Sequence, residues 1–305
     1  MLPSRAEDGL QRAVAEPYVK RIDLPIGVFD SGVGGLTVLD AIRRRLPAED
    51  LLYLGDTARV PYGTRAPDTV VRYAHRVAGH LVRRGVKAIV IACNTATTWA
   101  LDALEQAAAP LSIPVIGVIA PGVDAALART RSGRIAVIGT EGTVRGGAYT
   151  RHLQAGRPDV KVEAVPCPLF VALAEEGWTD GDIARLTAER YLSPLRTAVP
   201  AADTLILGCT HYPLLANVIA DVLPGVALVD SATATADATA SRLAAEGLLR
   251  NAGHPGTSAF LVTDHVDRFQ RVGARFLRKP PTPVELVDLT DADDAALPVP
   301  LEASA

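Results

Sequence analysis

The sequence predicts an α/β protein built from two similar domains, each a mainly parallel sheet flanked by helices. Short apolar runs rich in β-formers alternate with longer amphipathic segments, the pattern of βαβ units. The runs are too numerous for one simple doubly wound sheet. A chain of 305 residues with 49% apolar content is also long enough to bury two cores.

In chain order, the candidate strands are Ile26–Phe29, Leu51–Leu54, Ala88–Ala92, Pro114–Ile119, Ile135–Gly139, Val160–Val165, Thr204–Leu207, Ala227–Asp230 and Phe260–Thr263. Each is a short run of the kind that lies buried on both faces of a parallel sheet. Between them, Thr69–Arg84, Thr97–Ala108, Asp182–Ala198 and Ala232–Leu249 carry Ala, Leu and Arg at helical spacing. The first 22 residues and the acidic, Pro-rich stretch from 280 to 305 lack periodicity and read as tails.

One pattern occurs three times: an apolar strand, a small reactive or polar residue at its end, then a helix that closes on proline. The copies are IGVFDSGVGGLTVLDAIRRRLP, AIVIACNTATTWALDALEQAAAP and LILGCTHYPLLANVIADVLP. Ligands of parallel sheets sit at the C-terminal ends of strands, where loops diverge and helix N-termini point inward. Asp30, Cys93 and Cys209 are therefore expected at site-forming ends. The separation of the two thiols, from position 93 to position 209, suits one on each of two similar domains facing a common cleft.

A cysteine that follows a strand is commonly a small buried hydrophobe. Two in the same setting, each followed by polar residues (Asn94 and Thr95; Thr210 and His211), suggest reactive thiols whose helix starts lower their pKa. His211 adds a group able to take or give a proton. Two thiols around one carbon suit racemisation or epimerisation without a cofactor: one removes a proton and the other returns one to the opposite face.

Other chemistries fit less well. A pyridoxal-phosphate enzyme needs a Schiff-base lysine, and Lys20, Lys87, Lys161 and Lys279 all lie away from strand C-termini. Cys209 and His211 could share a metal, but no CxxC or HxxxH pair completes a site, so no metal is expected. A Cys-His hydrolase leaves the second thiol motif unused. Asp30-Ser31-Gly32 resembles an aspartic-protease triplet, yet the chain has no second copy. The glycines that follow lack the Lys-Ser/Thr of a phosphate loop, with Leu36-Thr37 standing there instead. Pro61-Tyr62-Gly63-Thr64 forms a turn expected to face the cleft, while Asp56 reads as a turn-forming acid. Of the adjacent acids Glu175 and Glu176, one could reach the cleft. Cys167 lacks the strand-helix setting and reads as structural.

Composition narrows the partners. A net charge of −3 and a pI near 6.1, with Lys and Arg dispersed, offer no basic field for nucleic acid. The start has no signal-peptide core, and no stretch approaches the roughly 18 uncharged apolar residues of a membrane span. A cytoplasmic protein is expected. Three widely spaced cysteines argue against a disulfide framework.

The segments FDSGVGGLTVL, PYGTR, IACNTAT, PLFVALAEEG and LGCTHYPLL, in this order and spacing, resemble the glutamate racemases of bacterial cell-wall synthesis, within the aspartate/glutamate racemase family. The resemblance covers about residues 24–278. It implies a discontinuous first domain (24–117 with 229–279), a second domain (118–228), an N-terminal extension (1–23) and a tail (280–305), with the active site in the interdomain cleft. It further implies that Cys93 acts on the Cα proton of D-glutamate and Cys209 on that of L-glutamate. Asp30 matches an acid near the first thiol, His211 a histidine beside the second, and Glu175, with Glu176 as second choice, an acid that assists it. Ser31, Tyr62, Gly63, Asn94, Thr95 and Thr210 match positions that hold the substrate's carboxylates and ammonium, as do Asp30 and His211. No cofactor is implied, and a homodimer is. Aspartate, hydantoin and other amino-acid racemases share the fold, and some family members inhibit DNA gyrase, a role to which the acidic composition lends nothing.

Overall fold

The computed structural model describes residues 20–198, 202–251, 253 and 255–289. Its strands are β1 (Ile26–Asp30), β2 (Leu51–Gly55), β3 (Ala88–Ile91), β4 (Val115–Gly117), β5 (Arg134–Gly139), β6 (Lys161–Pro166), β7 (Thr204–Gly208), β8 (Ala227–Asp230), β9 (Ser258–Val262) and β10 (Val284–Leu286). They form two sheets, parallel throughout: β10-β9-β2-β1-β3-β4 and β6-β5-β7-β8. Both contain the same core order, in which the first strand of the unit lies between the second and third and the fourth closes the edge. Cys93 and Cys209 both follow the third strand of their unit, so they occupy topologically equivalent ends.

Both faces of each sheet are buried, as a parallel sheet requires. Side chains alternate across the pleat: Ile26, Val28, Ala88 and Val90 enter one core of the first sheet, while Phe29, Ile89 and Ile91 enter the other. In the second sheet, Ala136, Ile138, Leu205 and Leu207 face one way and Ile135, Val137 and Ile206 the other. The helix Ser231–Ala245, with small residues at its contacts, packs on both Leu36–Arg45 and Ile119–Arg129, joining the helical layers of the two sheets.

The structure departs from the sequence reading at the termini. Val284–Leu286, placed in the tail, instead adds an edge strand beside β9. Val287 and Leu289 are buried behind it, and Glu285 on the strand pairs with Arg84. Its length, three residues in an acidic Pro-rich context, gave no periodicity to detect. The boundary set between 228 and 229 falls within β8, which pairs with β7 along its length; the chain rejoins the first sheet through β9. Arg21–Asp23 forms a short turn whose Ile22 carbonyl accepts from the buried Lys87 ammonium. Residues 1–19 of the extension and 290–305 of the tail lie outside the described residues.

Candidate active site

Cys93 caps the helix Asn94–Ala108: its sulfur accepts from the Ala96 N–H at 3.4 Å. The thiol points to the Ser31 hydroxyl, 3.8 Å away. The helix start alone predicts a lowered pKa. Burial instead pushes the thiol up to about 12, with the Asp30 carboxylate adding to the rise and the Ala96 and Ser31 contacts only partly offsetting it. The thiol is therefore protonated at neutral pH. Asp30, the last residue of β1, is itself raised by burial, although the positive field of His211 and backbone N–H groups oppose this. Its Oδ2 accepts from the Gly32 N–H at 2.9 Å, while Oδ1 is buried without a hydrogen-bond partner.

Cys209 lies in a different local setting. A 3-10 turn, Tyr212–Leu215, follows it, and the α-helix begins only at Ala216. Its neighbour is a side chain: Nδ1 of His211 is 3.9 Å from Sγ. Nε2 of His211 lies 3.1 Å from Glu175 Oε1, and Glu175 Oε2 accepts from Arg268 at 2.9 Å. Burial alone would depress the imidazole, but Cys209 and Glu175 overcome it and lift His211 to about 10. Glu175 is lowered because His211 and Arg268 outweigh its own burial. Glu175, rather than the exposed Glu176, makes this contact.

Asn94 Oδ1 accepts from the Tyr149 hydroxyl at 2.7 Å, leaving Nδ2 buried and unpartnered. Thr95 Oγ1 lies 2.9 Å from Thr140 Oγ1 and 3.1 Å from Thr143 Oγ1, a triangle of hydroxyls joining the end of β3 to the end of β5. Thr210 lies 3.4 Å from His211 Nδ1. Gly34 and Gly63 let the two halves meet. A Cβ on Gly34 would lie 2.3 Å from Thr210 Oγ1, and one on Gly63 would lie 2.6 Å from Thr140 Cβ. Tyr62 commits its side chain within the protein: its hydroxyl donates to Asp56 at 2.5 Å and its ring is buried. Only the main chain of Tyr62 and Gly63, whose N–H groups begin a 3-10 turn, retains donors for a ligand.

Three participants escaped the sequence reading. Thr140 stands where Ser31 does, directly after the first strand of its unit, and IAVIGTEG aligned on IGVFDSG would have exposed it. Asp56 is more than a turn former. It is fully buried and gathers Tyr62, Thr263 at 3.0 Å and Arg59 at 3.3 Å, fixing the loop that carries Gly63. Arg268 reads in sequence as one more arginine on an amphipathic helix. Cys167 is fully buried, with its thiol near the Val165 carbonyl at 3.7 Å. Among the described residues, no group of three or more His, Cys, Asp or Glu is placed to hold a metal, and no helix is long and apolar enough to cross a membrane.

Residues 26–239 match the family model described as Asp/Glu/Hydantoin racemase. The chain belongs to this racemase family. A glutamate racemase of Geobacter metallireducens is 55% identical over 253 residues, spanning 83% of this chain and 92% of that relative. The glutamate racemase of Francisella tularensis, solved in complex with D-glutamate, superposes with a TM-score of 0.82 at 38% identity, covering 89% of this chain and 99% of that one. The glutamate racemase of Thermus thermophilus, solved with β-chloro-D-alanine, gives 0.79 at 48% identity, covering 88% and 99%. Within this racemase family, the paired strand ends, each with a thiol, are the natural place to seek the proton donors and acceptors.

Proposed function

We infer that this racemase interconverts L- and D-glutamate without a cofactor, using Cys93 and Cys209 as the two bases. The observation that carries the reading is a matched pair of unsatisfied groups beside Cys93. Asp30 Oδ1 is a buried acceptor and Asn94 Nδ2 a buried donor, both lacking partners. Such groups are costly to leave unpaired, and together they complement the ammonium and a carboxylate of an α-amino acid. The identity of the relatives and the D-glutamate in one of them support glutamate as that amino acid.

In the proposed reaction, one sulfur as thiolate takes the Cα proton and the opposite thiol delivers its proton to the other face. The substrate leaves inverted and the two sulfurs have exchanged protonation states, so protons balance. The ammonium entering beside Asp30 offsets the negative field that adds to burial in raising the Cys93 thiol. On the other side, protonated His211 steadies the Cys209 thiolate. Asn94 and Thr210 supply donors for the charge that develops on the carboxylate as Cα loses its proton. Ser31 steers the Cys93 sulfur, and the Tyr62-Gly63 main chain and the threonine triangle are assigned to the distal carboxylate.

The same reading includes two domains on either side of the cleft, a homodimer, a cytoplasmic location and the supply of D-glutamate to peptidoglycan, as the motifs' resemblance to the glutamate racemases of cell-wall synthesis implies. The test is circular dichroism of L-glutamate incubated with purified protein and no added cofactor. The signal should decay to zero with wild type and persist with Cys93→Ser or Cys209→Ser. Persistence with folded wild-type protein overturns the reading, and a parallel panel with aspartate and hydantoins identifies the substrate in that case.

A further inference from the structure

We propose that Arg268 is a positioning residue for the Cys209 half of the reaction: it reaches across the cleft mouth to hold the Glu175 carboxylate on His211, so that Nδ1 of the imidazole stays turned toward Cys209. The proposal rests on the reading of Cys209 as one of the two bases.

The chain of contacts is continuous. Arg268 belongs to the helix Val266–Leu277, which follows β9 of the first sheet. Glu175 belongs to Leu169–Glu176, which follows β6 of the second, and the two helices pack on each other. The carboxylate uses one oxygen for each neighbour, Oε1 for His211 at 3.1 Å and Oε2 for Arg268 at 2.9 Å. An ionised carboxylate only accepts, so Nε2 of His211 carries a proton, and Nδ1 is the atom left to exchange with the sulfur. A single N–H from a permanently charged side chain makes this contact, so a cation that reaches Oε2 is what the task requires.

Glu175 also rims a cavity of about 280 Å³ at the cleft mouth, lined on the far side by Gly32, Thr57, Val60 and His265. Without Arg268, its side chain has space to turn away from the imidazole. The charged and titratable groups around Glu175 are His211 and Cys209 after β7, Asp30 at the end of β1, and Arg268 on the facing helix. Arg275 on that helix packs at Gly177, His265 stands across the cavity, and Glu176 is the exposed neighbour on the same helix. His211 and Arg268 are the two that hydrogen-bond it.

The sign of one titration separates positioning from a general electrostatic effect. If Arg268 supplied only positive charge, removing it would make His211 easier to protonate and raise its midpoint. If it holds Glu175 in place, removing it frees the carboxylate and the midpoint falls. The experiment follows the imidazole 15N shifts of His211, assigned with His211→Asn, in substrate-free wild type, Arg268→Met, Arg268→Lys and Glu175→Gln. Arg268→Met should move the midpoint down by about one unit toward that of Glu175→Gln, a tenfold change in the protonation equilibrium. Its basic limb of kcat should follow to lower pH, with kcat about 10-fold lower, KM changed less than about 3-fold, and Arg268→Lys restoring most of both.

A midpoint that stays or rises in Arg268→Met overturns the proposal, as does a loss of melting temperature with unchanged imidazole shifts. So does a rise in KM that salt abolishes while kcat stays intact, which would make Arg268 a guide for anionic substrate. Because the titration needs no turnover, a fall in the midpoint with an inactive wild type sustains the hold of Arg268 on Glu175 and His211 and overturns the functional reading.

Discussion

His211 is a buried imidazole held between a sulfur and a carboxylate, and its protonation ties stability to pH. Its folded pKa, about 10, lies above the ordinary value of 6.5. Its contribution is therefore present in full below pH 6.5 and is lost as pH rises through about 10. The urea midpoint should fall across that window in wild type, and His211→Asn should flatten the decline. An equal slope in the variant would assign the pH dependence to other groups. Cys93, Cys209 and His211 stood out in the sequence as candidates because reactive residue types recur after strands. Their electrostatic state was not legible there: a helix start argues for a low Cys93 pKa, but complete burial beside Asp30 reverses the sign. Likewise, the choice of Glu175 over Glu176 depends on the face of a two-turn helix turned to the cleft, and the commitment of the Tyr62 hydroxyl to Asp56 depends on a loop conformation.

The strand-to-helix turns act as fitted surfaces between the two halves. Gly34 has no room for a methyl group, since a Cβ there would meet Thr210 Oγ1 at 2.3 Å and His211 Nδ1 at 2.5 Å. Its backbone angle is ordinary, so the demand for glycine is one of contact rather than of torsion. Gly34→Ala should reduce turnover by about 100-fold, the cost expected of an ångström of misplacement, while leaving the far-ultraviolet spectrum unchanged. Turnover within a factor of two of wild type would show that the contact yields freely. Most helices and nine of the strands were visible as periodic or apolar runs. The edge strand β10 was hidden by its length and its acidic surroundings. Thr140 was hidden because its strand ends in Gly-Thr, with neither a thiol nor an acid to draw notice.

Across the whole molecule, the charges of the proposed site and a buried structural charge cluster lie at opposite ends of the first sheet. Lys87, before β3, is fully buried against Glu49, and Glu49 also accepts from the Arg250 N–H at 2.8 Å. Arg250 in turn binds Asp50, so this cluster ties the entry to the first domain to the returning chain. Lys87→Met strands a buried carboxylate and should cost about 3–5 kcal/mol of stability, read as a lower denaturant midpoint. The kcat measured well below the melting temperature should be unchanged, because the site lies at the strands' other ends. A kcat loss at full stability would show coupling along β3.

Alternating apolar runs and a recurring strand-thiol-helix pattern are local signals, and they sufficed to predict two mainly parallel sheets and to single out the strand ends and sulfurs proposed as the site. Which donors are unsatisfied, which acid meets His211 and how Arg268 crosses the cleft mouth depend on contacts between residues far apart in the chain. Composition and periodicity carry no record of such contacts, because burial and distance arise only when the two sheets pack together.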